Sequence, residues 1–252
     1  MQVIVNDLAV NYTRTGEGPV FVLLHGWGDS LETFSKLLPE LEKRFTVIRI
    51  DLAGFGGSQA PTSAWGLADY AKQLRDILQK IAVSPQDITV LMGHSNGGAI
   101  AVTAISEHYL QPKRLVLLAS SGVRNVHSQQ KNAVQAVTKV GKLFTFALPA
   151  SKRSKLRRAY YEKIGSDLLV APHMEKTFAR IVKEDILKRA ETITVPTLLI
   201  YGELDTDTPP AYGMALQQAI AGSDIRVIQG AGHFLHHTHP DQVIDYMREF
   251  LS

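Results

Sequence analysis

"LMGHSNGGAI", residues 91–100, places a Ser between a His and an Asn, with glycines two before and two after it. The apolar run "ITVLM" from residue 88 leads into it, and small apolar residues follow it. A buried strand turning sharply into a helix fits that pattern. In a Gly-x-Ser-x-Gly elbow the turn strains the Ser backbone and exposes its hydroxyl, so Gly93 and Gly97 must be small. As a bare pattern it also fits a Gly-rich strand-to-helix link, so the rest of the chain has to decide.

Five further runs rich in Val, Ile and Leu read as buried strands: "VFVLL" from 20, "TVIRI" from 46, "RLVLL" from 114, "TLLI" from 197 and "IRVI" from 225. Between two of them Leu67, Tyr70, Ala71, Leu74, Ile77, Leu78 and Ile81 recur along one helical face. Alternating strands and helices predict an α/β fold with a doubly wound, mostly parallel sheet. Residues 2–5 and 8–12, joined by "NDL", predict an antiparallel hairpin at one edge.

The gap from residue 114 to residue 197 is too long for one crossover, which predicts an inserted helical cap over residues 123–190. The expected core is then 1–122 and 191–252. The cap pattern is helical, with Phe178, Ile181, Val182 and Ile186 in phase and "ALPAS" near 147 as a break. The same segment is basic, with 15 Lys or Arg against 5 Asp or Glu, although the whole chain carries only +3. "SKRSKLRRAYYEK" sets Arg153, Arg157 and Arg158 in one run. Such a run reads either as a solvated helix face or as a surface that steers an acidic partner.

An apolar content of 45% and a charged content of 20% exclude disordered and fibrous classes. No Cys occurs, so thiolate nucleophiles, disulfides and Cys-based metal sites are excluded. "MQVIVNDLAV" lacks the features of a signal peptide and no apolar run reaches 18 residues, so a cytoplasmic protein without a transmembrane segment is expected. The basic run has no accompanying nucleic-acid recognition motif, and no nucleic-acid partner is expected.

In an open α/β sheet, ligands bind beyond the carboxyl ends of the strands. Those ends carry "HGWGDS", "DLAGFGGS", "GHSNGG", "YGELDTDTPP" and "QGAGHFLHHTHP". A Ser hydroxyl needs a base, and the base needs an orienting carboxylate. His233 is the candidate base. Among Glu203, Asp205 and Asp207, Asp205 is the candidate carboxylate, with Asp207 as the fallback. His236, His237 and His239 raise a metal alternative, but they run into a helix opened by Pro240, and no metal or cofactor is expected.

In order and over nearly its whole length, "HGWG", "DLAGFGGS", "GHSNGG", "YGELD" and "GAGH" resemble the α/β-hydrolase fold superfamily, in its capped serine esterase branch. The resemblance implies Ser95 as nucleophile, His233 as base and Asp205 as its partner. It also implies an oxyanion hole from the backbone N–H groups of Trp27 and Asn96. His25 is expected to pack beneath the hole and His94 to line the turn, while Asp51 and Ser58 organise a loop. Dehalogenases and epoxide hydrolases of this fold use an Asp nucleophile, whereas position 95 is Ser. "HGWG", "DLAGFG" and "YGELD" are similar to esterases acting on pimeloyl methyl esters of acyl carrier protein, so an acidic carrier at Arg153, Arg157 and Arg158 is one expected partner.

The expected activity is hydrolysis of a small-molecule carboxylic ester through an acyl-enzyme. Carbon–carbon bond hydrolysis of a vinylogous diketone and a non-enzymatic small-molecule receptor are the alternatives.

Overall fold

The computed structural model describes residues 1–124 and 171–252. Among these residues the strands are β1 Gln2–Val5, β2 Leu8–Thr15, β3 Val20–Leu24, β4 Thr46–Ile50, β5 Ile88–His94, β6 Arg114–Leu118, β7 Thr197–Gly202 and β8 Asp224–Ile228. They form one sheet in the order β1-β2-β4-β3-β5-β6-β7-β8. The pairs β1–β2 and β2–β4 are antiparallel, and all others are parallel. Each apolar run read from the sequence is therefore a strand of a mostly parallel sheet.

The opening hairpin turns at Asn6 and Asp7, whose φ values of 51° and 62° are both positive. A two-residue turn of that kind matches the twist of the strands it joins, and Asn and Asp tolerate the left-handed region better than other side chains. The second strand continues past the expected residue 12 to Thr15, because Tyr12–Thr15 pair with Val47–Ile50 of β4. That pairing was invisible in the local pattern, since "NYTRT" carries little apolar signal of its own.

Among the described residues the α-helices are α1 Leu38–Leu41, α2 Leu67–Lys80, α3 Asn96–Ser106, α4 Glu175–Ile181, α5 Leu187–Ala190, α6 Pro210–Ala219, α7 Leu235–Thr238 and α8 Pro240–Leu251. Alternate strand residues feed two separate cores. Val22, Leu24, Ile48, Leu91 and Leu117 pack with Leu67, Leu74, Ile100 and Leu216 of α2, α3 and α6. Phe21, Leu23, Val47, Met92 and Leu118 pack with Leu37, Leu41, Val243 and Met247 on the other face. A sheet covered on both faces leaves its carboxyl edge as the place where loops converge.

Residues 171–190, within the expected cap, carry α4 and α5. The helical phase read across Phe178, Ile181, Val182 and Ile186 is interrupted. Helix α4 ends at Ile181, and the Asp185 carboxylate accepts N–H bonds from Leu187 at 2.8 Å and from Arg124 at 3.1 Å, which starts α5 as a separate element. Ile186 is fully buried and its N–H donates to the Gly122 carbonyl at 3.0 Å. "ALPAS" and the run containing Arg153, Arg157 and Arg158 lie outside the described residues.

Candidate active site

Ser95 stands between β5 and α3 with φ 51° and ψ −117°. A non-Gly residue there stores backbone strain, which persists only where the surroundings impose it. The imposition is steric. A Cβ at Gly93 would run into the Gly97 carbonyl, and one at Gly97 into the Leu24 carbonyl of β3. Both positions must therefore be Gly for the strand, the turn and the helix to pack this closely.

His233 follows β8, and its Nδ1–H donates to Asp205 Oδ2 at 2.8 Å. Asp205, three residues past the end of β7, is almost fully buried. Its Oδ1 accepts the backbone N–H groups of Asp207 and Thr208, each at 2.9 Å. Burial alone opposes the Asp205 charge, but the hydrogen bonds from His233 and Thr208 outweigh it and hold the carboxyl below its ordinary pKa. Asp207 is exposed and bonds to Asp205 through its N–H, so of the two acids it is Asp205 that the structure places against His233.

Thr208 is the residue that sequence reasoning missed. Its hydroxyl lies 2.8 Å from Asp205 Oδ2, 2.9 Å from the Ala119 carbonyl and 3.1 Å from His233 Nδ1. The available signal was the spacing Asp-x-x-Thr, where the carboxylate receives the N–H and hydroxyl three residues on.

Two more histidines lie beside the pair. His94 Nε2–H donates to the His233 carbonyl at 3.1 Å, and the two rings lie 4.8 Å apart between centroids. His236 is buried, with its ring 4.5 Å from that of His94 and its Nε2 2.9 Å from Thr33 Oγ1. Burial, followed by the neighbouring histidines, holds His94 well below the ordinary imidazole pKa. Burial first, then His237 and His233, pushes His236 down to about 3. Both rings are neutral near pH 7, so His94 fixes the backbone of His233 without adding charge beside it.

His25 sits at the end of β3, buried, where its Nδ1–H donates to the Gly26 carbonyl at 2.7 Å and its Nε2 accepts the Leu52 N–H at 2.9 Å. A trans peptide points C=O and N–H in opposite directions. Anchoring the Gly26 carbonyl on His25 therefore turns the Trp27 N–H to the other side. Gly26 abuts the nucleophile candidate, since a Cβ there would lie 3.2 Å from Ser95 Cβ. The Asn96 N–H belongs to the first turn of α3, where helix geometry leaves amides without intrahelical partners. The Trp27 ring packs edge-on against Phe55 at 4.8 Å and lies tilted against Phe178 of α4 at 5.1 Å.

The second loop is organised by Asp51. Its carboxylate accepts from the Leu31 and Gly57 amides, each at 2.7 Å, and from Asn11 Nδ2 at 2.8 Å, while the Ser58 hydroxyl donates to the Asp51 carbonyl at 2.7 Å. Among the described residues, Asp205, Asp207 and His233 place three potential metal-ligand atoms within 4.8 Å of one another. Asp205 and His233 are bonded to each other within that group. Among the described residues His236, His237 and His239 belong to no such group.

The sequence profile of the Alpha/beta hydrolase family matches residues 21–246. The chain belongs to this family. It is 24% identical over 263 residues to the pimeloyl-[acyl-carrier protein] methyl ester esterase of Aeromonas hydrophila, covering 97% of this chain and 100% of that one. The enol-lactonase of Burkholderia xenovorans superimposes with a TM-score of 0.76 at 22% identity, covering 100% and 99% of the two chains. A meta-cleavage product hydrolase of Pseudomonas fluorescens does so at 0.73 and 19%, covering 99% and 96%. At such identities the structural likenesses show the α/β-hydrolase fold, and fold and family together make the protein a hydrolase. No helix among the described residues is long and apolar enough to cross a membrane.

Proposed function

We propose that the protein is a serine hydrolase that cleaves small carboxylic esters through an acyl-enzyme. The carrying observation is that a strained Ser95, at φ 51°, shares the carboxyl edge of the sheet with an Asp205–His233 pair bonded at 2.8 Å. His233 gives Nδ1–H to Asp205, which leaves Nε2 as the basic atom. In this reading Nε2 takes the Ser95 proton as Oγ attacks the ester carbonyl, and returns it to the departing alcohol. Water then attacks the acyl-Ser95, with His233 again taking and returning the proton.

The carbonyl oxygen becomes negative at each tetrahedral stage, and two N–H groups, those of Trp27 and Asn96, receive it. Each such donor is worth roughly 3–4 kcal/mol when fixed in advance. His25, by holding the Gly26 carbonyl, acts as the positioning residue for the first of them. Asp205 remains charged and stabilises the imidazolium, with Thr208 and two amides supporting it.

The segment 123–190 acts in this reading as a lid over the acyl site, and its basic run around Arg153, Arg157 and Arg158 supports an acidic carrier as the form in which an ester is presented. The deciding experiment is an initial-rate panel of aryl esters from acetyl to dodecanoyl, together with a vinylogous diketone, run on wild type and Ser95→Ala. Ester turnover lost by about 10⁴-fold or more in a folded Ser95→Ala protein is expected. Near-wild-type ester turnover in that variant, or turnover of the diketone alone, would replace this reading.

A further inference from the structure

Asn96, whose backbone N–H is assigned above to the oxyanion hole, has a side chain with no role in that mechanism. It is only 4% exposed, and both Oδ1 and Nδ2 lack a hydrogen-bond partner. Buried carboxamides are normally paired, because an unpaired donor or acceptor forfeits its hydration for nothing. Two unpaired atoms on one buried side chain, next to a candidate nucleophile, call for a ligand.

Helix geometry gives the direction of that side chain. A Cβ at Gly97 would meet the Leu24 and His25 carbonyls at the end of β3 and just past it, and a Cβ at Gly98 the Ser120 side chain after β6. Both positions therefore face the sheet. At roughly 100° per residue, Asn96 lies about 100° from Gly97 and about 160° from Gly98, so it leaves α3 on the side away from the sheet. Helical side chains also lean toward the N-terminus, which here is the end carrying Ser95. The carboxamide is thus buried on the side of α3 away from the sheet, leaning toward the candidate nucleophile one residue before it.

We propose that the Asn96 carboxamide is a specificity determinant that pairs with a neutral donor–acceptor group of the substrate, a hydroxyl or enol within about two carbons of the scissile carbonyl. Adjacent Cα atoms are about 3.8 Å apart, which keeps the recognised group close to the bond being broken. A carboxylate fits poorly, because it only accepts and would meet Oδ1 with like polarity. A plain alkyl chain would leave both amide atoms unpaired. This proposal rests on the acyl-enzyme reading and refines its substrate class.

The test compares kcat/KM for the 4-nitrophenyl esters of butanoate, 2-hydroxybutanoate, 3-hydroxybutanoate and hydrogen succinate, in wild type, Asn96→Leu and Asn96→Ala. The ratio of the preferred hydroxy ester to butanoate is expected to fall at least tenfold in both variants, which cancels the intrinsic reactivity of each ester. The succinate ratio is expected not to fall. Asn96→Leu should also raise Tm, since it removes an unpaired amide, whereas a structural role would lower it. A hydroxy ratio unchanged within threefold, as an amide serving only a trapped water would give, overturns the proposal. So does an equal fall for succinate. Binding of methyl 2-hydroxybutanoate against methyl butanoate on the Ser95→Ala background, with and without Asn96→Leu, decides the point independently of turnover. Turnover surviving in Ser95→Ala would instead count against the acyl-enzyme reading, while an unaltered ratio with Ser95-dependent turnover counts against Asn96 alone.

Discussion

The buried histidines beside His233 make acid stability the sharpest quantitative consequence of this fold. His236 has its pKa pushed from 6.5 to about 3 by burial and by His237 and His233. The folded protein therefore keeps this ring neutral, while the unfolded chain takes up a proton as pH falls through 6.5. Its contribution to stability is complete above pH 6.5 and is lost as pH falls toward 3. The slope for one proton is about 1.4 kcal/mol per pH unit, so His236 alone removes about 3 kcal/mol between pH 6.5 and 4. His94 shifts in the same direction and steepens the fall. Urea unfolding followed by circular dichroism between pH 7.5 and 4.5 measures the slope directly. His236→Gln keeps an amide near Thr33 Oγ1 and removes the titrating ring, so its stability curve should be flatter than wild type by about 1.4 kcal/mol per pH unit. Parallel curves for the two proteins would show that His236 does not titrate in the unfolded state alone, and the reasoning would fail.

Thr208→Val removes a hydroxyl from a buried carboxylate, an interaction of about 1.5–3 kcal/mol. Its kcat should fall about 10- to 100-fold, with Thr208→Ser recovering most of the loss in the same ester assay. His25→Phe frees the Gly26 carbonyl, and we expect kcat to fall about 100-fold while KM changes little; an equal change in KM would assign His25 to binding instead. Gly97→Ala forces a Cβ into the Leu24 carbonyl and should cost about 1–3 kcal/mol in urea unfolding. Reversing the charge of Arg153, Arg157 and Arg158 should weaken hydrolysis of carrier-bound esters and spare small soluble ones; equal effects on both would reject the carrier.

Much of this molecule was legible without coordinates because its strands are buried on both faces. Continuous apolar runs announce such strands, and the polar residues just past them, from "HGWG" to "GAGH", then fall at one edge. The candidates Ser95, Asp205 and His233 could be placed at that edge for that reason, and the small residues Gly93 and Gly97 around a tight turn could be read from the same pattern. The sequence could not choose firmly between Asp205 and Asp207, because both fit the loop. In the tertiary structure Asp205 is buried against His233 and Asp207 is exposed, a difference that no local pattern carries. Thr208, the His25 grip on Gly26 and the partnerless Asn96 carboxamide were equally hidden. Each depends on which atoms of distant segments meet in a space without water, and no local pattern encodes that. Residue types and their periodicity determined the sheet and the chemistry brought to its edge; the packing of loops across that edge decided which hydrogen bonds form, and which buried groups are left without one.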